Sequence, residues 1–283
     1  MILEGQGQAR SHLKSNIPWS HEWGPVHRLI ELELRAAVAT DQIEVYFQPI
    51  VSVATRQIVG FEALARWRST LLGPVSPAEF IPIVEEIGLM EEMGEAMLRR
   101  ACKACAGWPD EVCVSVNLSS TQFRSGNLES TILSALAAAR LAPERLDLEI
   151  TESTLLEDRG DTRRTLQSLR AQGMRVSLDD FGTGYSSLSY LLSFPLDRIK
   201  IDRSFTMGLG LQERASVLVE GVSSMSRKLG MSVLIEGVET AKQLRMIEAL
   251  GTISEAQGYL FSRPVPEKDV AGLLRRDFRV QAA

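Results

Sequence analysis

Short apolar runs alternate with helical patterns along this chain, and that alternation limits its fold more than any other feature. The segments between the runs have mostly the period of amphipathic helices. Strands that alternate with helices indicate βα units and a mostly parallel sheet. Eight such strands in about 250 residues predict an α/β protein of the (β/α)₈ barrel type. The predicted strands are 43–48, 58–64, 112–117, 146–150, 174–179, 198–202, 231–236 and 256–260.

The first two strands are an exception to the parallel pattern. Only the short segment 51–57 separates their cores, and a crossover helix cannot fit into it. The sequence therefore predicts a modified TIM barrel with an antiparallel strand near the N-terminus. An amphipathic helix is expected from Pro25, with Leu29, Leu34 and Ala37 on its apolar face. Residues 1–24 are polar and glycine-rich and are interpreted as an N-terminal extension or linker, and residues 25–283 as the barrel.

Polar side chains occur at the carboxyl ends of the predicted strands. In a barrel these ends meet at one mouth, so we expect the side chains to converge there. Most of them are acids or amides, and none is His or Cys. Such hard oxygen ligands select Mg²⁺ or Mn²⁺ over Zn²⁺. The residues are Glu62, Asn117, Glu149, Asp179, Asp180, Lys200, Asp202, Glu236, Glu239 and Gln257.

Two adjacent carboxylates, Asp179 and Asp180, give the strongest signal because they repel each other unless a cation lies between them. Each further acid in the same cleft would raise the pKa of its neighbours. A second acid, Glu236, lies six residues after Gly230, just as Asp179 lies six residues after Gly173. Two metals about 3.5–4 Å apart, bridged by one carboxylate, would neutralise such a cluster, activate water and clamp a phosphoryl group.

Several of these residues have a second interpretation. Glu62 can be an ordinary solvated acid, Asn117 can cap the next helix, and Glu239 can serve a helix N-terminus. Lys200 is either half of a structural ion pair or a group that orients water and stabilises developing charge. Asp202 would then hold Lys200 or face the ligand.

Glu149 and three further residues are candidates in and around the site. An acid inside an apolar strand needs a partner, which favours a functional role for Glu149, whereas Glu152 is expected to anchor a loop. Gln48 and Arg66 are candidate substrate contacts. Arg66 could bind a phosphate with its guanidinium fork, or it could be a surface cation.

Composition excludes some classes of partner. The net charge is −5, from 31 basic and 36 acidic residues. This balance argues against a protein that coats a nucleic-acid polymer by neutralising phosphates. An odd count of three cysteines fits a reducing compartment. No run has the length of a membrane-spanning segment and the N-terminus lacks the apolar core of a signal peptide, so a cytoplasmic protein is expected, whether whole or a fragment of a longer one.

A series of motifs resembles the EAL family of bacterial cyclic-di-GMP phosphodiesterases, from about Leu32 to Leu274. The motifs are specific as an ordered set. They are Gln48-Pro-Ile50, Glu62-Ala-Leu64 with Arg66, Asn117-Leu-Ser119, Glu149-Ile-Thr-Glu152, Asp179-Asp-Phe-Gly-Thr-Gly184, Ile199-Lys-Ile-Asp202, Glu236-Gly-Val-Glu239 and Gln257-Gly258.

The resemblance implies a modified TIM barrel that hydrolyses cyclic-di-GMP to linear 5'-pGpG with two Mg²⁺ or Mn²⁺ ions. It further implies that one metal is held by Glu62, Asn117, Glu149 and Asp179, and the second by the bridging Asp179 with Asp180. By the same resemblance Lys200 would position the attacking water, and Glu236 would act in the metal shell or as the base. Glu239 and Gln257 would complete the site, with Arg66 and Gln48 facing the substrate.

The resemblance also implies a homodimer. The segment Asp180–Leu191 resembles the loop that couples dimerisation to the site in this family, with Glu152 as its anchor. No sensor or cyclase motif accompanies the barrel, which leaves room for a regulatory domain or protein partner. A second hypothesis is a receptor that binds the dinucleotide without cleaving it, but the presence of the full set of metal ligands argues against it. A third hypothesis is an unrelated Mg²⁺-dependent lyase barrel.

Overall fold

The computed structural model describes residues 25–40, 42–156, 160–182 and 189–278. Residues 1–24, predicted to form an extension or linker, lie outside the described residues. Ten strands form one sheet. They are β1 (Ile43–Ser52), β2 (Ile58–Ser69), β3 (Gly73–Val75), β4 (Cys113–Leu118), β5 (Leu146–Thr151), β6 (Arg175–Phe181), β7 (Arg198–Ile201), β8 (Ser232–Ile235), β9 (Glu255–Gln257) and β10 (Val265–Pro266).

Eight of these strands close into a barrel. β2, β4, β5, β6, β7, β8 and β9 run parallel in that order, and β1 closes the ring by pairing antiparallel with both β9 and β2. The predicted barrel with an antiparallel strand near its N-terminus is therefore confirmed. The β1–β2 pair is a hairpin, because the short connection between them leaves no room for a crossover.

Helices cover the outside of the barrel and occupy most of the connections, as the alternating pattern predicts. They are α1 (Pro25–Ala39), α2 (Pro77–Glu86), α3 (Met90–Cys105), α4 (Ser120–Arg124), α5 (Leu128–Ala139), α6 (Glu152–Leu156), α7 (Asp161–Ala171), α8 (Ser189–Ser193), α9 (Arg203–Gly208), α10 (Glu213–Lys228), α11 (Ala241–Leu250) and α12 (Glu267–Leu274). Among the described helices, none combines the length and hydrophobicity that a bilayer crossing requires.

The N-terminal helix begins at Pro25 as predicted, but its apolar face is only partly covered. Leu34 and Ala37 are fully buried, whereas Leu29 is 38% exposed. Leu34 and Ala37 pack in one cluster with Trp67 of β2 and Phe80 of α2, which ties the helix to the barrel wall. The C-terminal half of the helix therefore carries the packing.

Two strands were not predicted, and the C-terminal end of the last barrel strand was placed too late. β3 and β10 are short edge strands that contain Pro74 and Pro266, residues that the strand pattern disfavours. The last barrel strand was expected to run to residue 260 but ends at Gln257. The chain turns at Gly258, where a Cβ would lie 2.2 Å from the carbonyl oxygen of Val238. Only glycine permits this close approach.

Candidate metal centre

The carboxyl ends of the barrel strands bring the predicted acids and amides to one mouth. β2 carries Glu62, β4 carries Asn117, and β5 carries Glu149, and the last two are directly paired in the sheet register. Asp179 lies on β6 and Lys200 on β7. Glu236 follows β8 immediately, and Gln257 is the last residue of β9. The convergence expected from a parallel barrel is therefore present.

Lys200 occupies the centre of this cluster and is fully buried. Its Nζ lies 2.8 Å from Glu149 Oε2, 2.9 Å from Glu236 Oε1, 3.0 Å from Asp179 Oδ2 and 3.7 Å from Glu62 Oε1. Burial alone would lower the pKa of Lys200, but these carboxylates raise it well above its ordinary value. The side chain is therefore a fixed ammonium ion among four acids.

The structure does not show Asp202 holding Lys200, which was one of its two predicted roles. Its Oδ1 accepts a hydrogen bond from the backbone N–H of Ser204 at 2.9 Å, so it caps the N-terminus of α9. Lys200 is held by the four acids of the cluster instead. A carboxylate at this position stabilises the first turn of the helix that follows.

Two groups of three carboxylates overlap at the mouth and share one member. Glu62, Glu149 and Asp179 form the first group, and Asp179, Asp180 and Glu236 form the second. Within each group, one oxygen per residue lies within 4.8 Å of the others. Asp179 belongs to both groups, which is the arrangement that a bridging carboxylate would need.

The donor atoms of this site fit divalent cations. Five carboxylates surround the single charge of Lys200, so negative charge is in excess. One buried oxygen, Glu149 Oε1, has no hydrogen-bond partner among the residues that the structure describes, although buried polar atoms are normally paired. Carboxylate oxygens of this kind are the ligands of Mg²⁺ and Mn²⁺.

The acids also perturb one another. Burial raises the pKa of Glu149 well above its ordinary value, and the neighbouring Glu62 and Asp179 add to this effect against the opposing charge of Lys200. Burial likewise raises the pKa of Glu236 to about 8. Partial burial, together with Asp179, raises the pKa of Asp180. Part of this charge is therefore neutralised by protons when no cation is bound.

Amide side chains orient Glu62. Asn117 Nδ2 donates to Glu62 Oε1 at 3.0 Å, and Gln257 Nε2 donates to Glu62 Oε2 at 2.7 Å. Gln257 Nε2 also donates to Gln48 Oε1 at 3.0 Å. Gln48 in turn donates from Nε2 to the Ser262 carbonyl at 3.3 Å. These bonds fix the carboxylate of Glu62, so it is not a freely solvated acid.

The backbone is strained where the two adjacent aspartates lie. Asp180 has a φ of +54°, a left-handed conformation that few residues other than glycine adopt. Its N–H donates to Asp179 Oδ1 at 2.9 Å. Two residues on, the N–H of Gly182 donates to Glu152 Oε1 at 3.0 Å, which agrees with the prediction that Glu152 anchors this loop. Residues 183–188 of the predicted dimerisation segment lie outside the described residues.

Arg66 and Glu239 lie at the edge of the cluster. The guanidinium of Arg66 lies 5.8 Å from the ring centroid of Tyr46, and burial lowers the pKa of Arg66. Glu239 is exposed, and its backbone N–H donates to Gln243 Oε1 at 2.9 Å. The helix that follows is capped by Thr240, so Glu239 is not needed as the cap.

The sequence analysis missed residues that support the site from behind. Thr206 Oγ1 donates to the carbonyl of Glu236 at 2.5 Å and fixes the backbone of that acid. Asp147, Ser177 and Arg198 form a buried network below the acids. Their positions two residues before Glu149, Asp179 and Lys200 could have revealed them, because alternate residues of a strand share a face.

Cation binding at this site should strengthen as the pH rises through about 8, because the Glu236 carboxyl then loses the proton that a cation must displace. Below that pH, each cation that binds must displace one proton, so the apparent Mn²⁺ affinity should fall by about tenfold for each unit by which the pH is lowered. Titration calorimetry in buffers of different ionisation enthalpy would measure the proton release. Glu236→Gln should flatten the dependence, and an unchanged slope in that variant would contradict the assignment to Glu236.

Comparison with known proteins gives concordant matches. The EAL domain family model matches residues 31–264. Protein y4lL of Sinorhizobium fredii is 46% identical over 254 residues, covering 90% of this chain and 31% of that protein. Cyclic di-GMP phosphodiesterase NbdA of Pseudomonas aeruginosa is 38% identical over 259 residues, covering 90% of this chain and 33% of that protein. This chain thus spans about a third of the length of these relatives.

A solved structure agrees in fold. The PaMucR phosphodiesterase, solved in complex with c-di-GMP, superposes with a TM-score of 0.81 at 35% sequence identity. The match covers 86% of this chain and 99% of that one. The likeness therefore extends over the whole barrel.

Proposed function

This chain belongs to the EAL domain family, and from that membership we propose that it hydrolyses one phosphodiester bond of cyclic-di-GMP to linear 5'-pGpG with two Mg²⁺ or Mn²⁺ ions. One observation carries the proposal: Asp179 is shared by two groups of carboxylates at the mouth of the barrel. A site with two cations bridged by one carboxylate is typical of phosphodiester hydrolysis. The similarity to NbdA and PaMucR supports the choice of substrate.

The acids and one amide divide into two sets of ligands in this proposal. Glu62, Asn117, Glu149 and Asp179 would hold the first cation, and Asp179 with Asp180 would hold the second, with Glu236 in the same group of carboxylates. When bound, two such cations activate water and neutralise charge on the phosphoryl group. Asn117 already contacts Glu62, so its amide needs no large movement to join the first set.

Lys200 and Glu236 are proposed to stabilise charge and to transfer a proton during the reaction. Lys200 donates hydrogen bonds from the floor of the site, where it can orient the attacking water and stabilise developing negative charge. Glu236 completes the cation shell or accepts the proton that the water loses.

The surrounding residues complete the proposal. Gln48 and Arg66 face the substrate, with Gln48 held by Gln257. Glu239 and Gln257 support the site, and Glu152 anchors the loop that begins at Asp180. We further propose a homodimer through Asp180–Leu191, a cytoplasmic location, and regulation by a further domain or a protein partner, which accords with relatives about three times as long.

The purified chain should convert cyclic-di-GMP to pGpG when Mg²⁺ or Mn²⁺ is present. Chromatographic separation of the nucleotides would measure the loss of the cyclic substrate and the appearance of the linear product. A parallel reaction with a chelator provides the control and should show no product, because the acids then lack the cations that offset their charge.

The same assay separates the competing hypotheses. Tight binding of cyclic-di-GMP without linear product, with either metal, would favour the receptor hypothesis over the phosphodiesterase. If the chain neither binds nor cleaves cyclic-di-GMP, this dinucleotide is not its substrate. Retention of both carboxylate groups favours hydrolysis, since a pure receptor would not need five acids around one lysine.

A further inference from the structure

A second layer of polar side chains lies inside the barrel, directly beneath the candidate metal centre. Its members occur two residues before site residues on the same strands, so they point into the barrel like the residues above them. Four of the five are almost completely buried. They are Ser115 below Asn117, Asp147 below Glu149, Ser177 below Asp179, Arg198 below Lys200 and Glu255 below Gln257.

Arg198 links this layer. Its side chain is 4% exposed, and its guanidinium forms an ion pair with Asp147, whose other oxygen accepts a hydrogen bond from Ser177 Oγ at 2.7 Å. On the other side, Arg198 Nε lies 2.9 Å from Glu255 Oε2, and Arg198 Nη2 donates to Glu255 Oε1 at 3.2 Å. Burial alone would lower the pKa of Arg198, but Asp147 and Glu255 together raise it. The guanidinium is therefore charged and held on two sides.

The contacts of Arg198 join strands that are not neighbours in the sheet. Asp147 is on β5 and Glu255 is on β9, whereas Arg198 is on β7. The ion pairs thus cross the barrel interior and bypass β6 and β8. Backbone hydrogen bonds fix neighbouring strands to each other, but only such cross-barrel contacts fix the distances between opposite walls.

We propose that Arg198 is a positioning residue, which braces β5, β7 and β9 so that Glu149 and Gln257 keep the geometry that cation binding requires. The inference rests on the proposed function only in taking the site to bind divalent cations. Residues that hydrogen-bond to metal ligands contribute to affinity, and their loss weakens metal binding by about 10–100-fold. Arg198 contacts Asp147 and Glu255 and acts on the ligands through the strands that carry these acids, so we expect an effect at the lower end of that range.

If Arg198 acted only through its charge, its loss would change Mn²⁺ affinity in the opposite direction. Arg198 is a cation, so loss of its charge should strengthen the binding of another cation nearby. That effect is small, because Asp147 and Glu255 already offset the charge, and an unpaired buried carboxylate generally takes up a proton. Displacement of Glu149, and of Gln257 with the Glu62 carboxylate that it orients, is the larger consequence, and it weakens binding.

The test measures Mn²⁺ affinity by electron paramagnetic resonance, together with melting temperature. Arg198→Met should weaken Mn²⁺ binding by about tenfold or more and lower the melting temperature by roughly 10 °C. Arg198→Lys should also weaken binding, because lysine keeps the charge but lacks the fork that reaches both acids. Tighter binding in Arg198→Met would overturn the proposal in favour of simple electrostatics.

A matched control and a double variant separate positioning from stability. Arg56 is another buried arginine, which lies in the connection between β1 and β2 and pairs with Glu248 of α11. Because this pair contacts none of the proposed ligands, Arg56→Met should lower the melting temperature but leave Mn²⁺ affinity unchanged. Arg198→Met combined with Asp147→Leu removes the more deeply buried of the two carboxylates left without their arginine and should recover part of the lost stability. Its Mn²⁺ affinity should stay low.

The outcomes distinguish this inference from the proposed function. Mn²⁺ affinity that is unchanged in Arg198→Met, or that recovers with stability in the double variant, would overturn the positioning role. A wild-type protein that binds Mn²⁺ but does not cleave cyclic-di-GMP would contradict the proposed activity and leave this test intact. A wild-type protein that binds no Mn²⁺ would overturn both.

Discussion

Glu62→Ala should abolish the turnover of cyclic-di-GMP, with a loss of at least about 10³-fold, because several kcal/mol of transition-state stabilisation depend on the cations it helps to hold. Glu62 belongs to the first group of carboxylates. It also accepts hydrogen bonds from Asn117 and Gln257, so its loss releases both amides. Steady-state assays with saturating Mn²⁺ would measure the effect.

Two companion variants identify the cause of that loss. Glu62→Gln keeps the size of the side chain and part of its hydrogen bonding but removes the charge, so it should also lose most of the activity. Glu111→Ala changes an exposed glutamate in the connection before β4 and should behave like the wild type. Wild-type turnover in Glu62→Gln would contradict a role as an anionic ligand.

The sequence was most informative where local pattern determines position. A parallel strand that ends in an acid directs that acid to the mouth, whatever the rest of the chain does. Glu149 and Asp179 could therefore be placed together from their strands alone, and the structure shows their oxygens within 4.8 Å in one group. The β1–β2 hairpin was predictable for a similar reason, since the length of one connection decides it.

Sequence was less informative where distant strands meet. The pattern left Lys200 between two roles, because nothing local shows that its Nζ reaches four acids from β2, β5, β6 and the end of β8. The brace through Arg198 was missed because its partners are 51 and 57 residues away in the chain. Such pairings depend on how the barrel closes, and a linear pattern does not contain that information.

Lys200→Met should have opposite effects on cation binding and on turnover. In the metal-free protein the ammonium competes with any cation for oxygens of Glu149, Asp179 and Glu236. Without it, Mn²⁺ should bind at least as tightly as in the wild type. Turnover should nevertheless fall by about 10²–10³-fold, because the group that stabilises developing charge is gone.

Metal-free stability gives this prediction a second, independent measurement. Removing one partner of a buried ion pair costs about 3–5 kcal/mol, and protons taken up by Glu149 and Glu236, whose pKa values are already raised, should offset part of that cost. The melting temperature with a chelator should therefore fall by roughly 5–10 °C relative to the wild type. Saturating Mn²⁺ should narrow this difference, because a cation that binds the folded variant more tightly than the folded wild type also stabilises the variant more. Lys228→Met, at the exposed end of α10, is the matched control and should change neither quantity. If Lys200→Met lost the same stability with and without Mn²⁺, Lys200 would stabilise the barrel only by packing and would not replace the cation in the metal-free site.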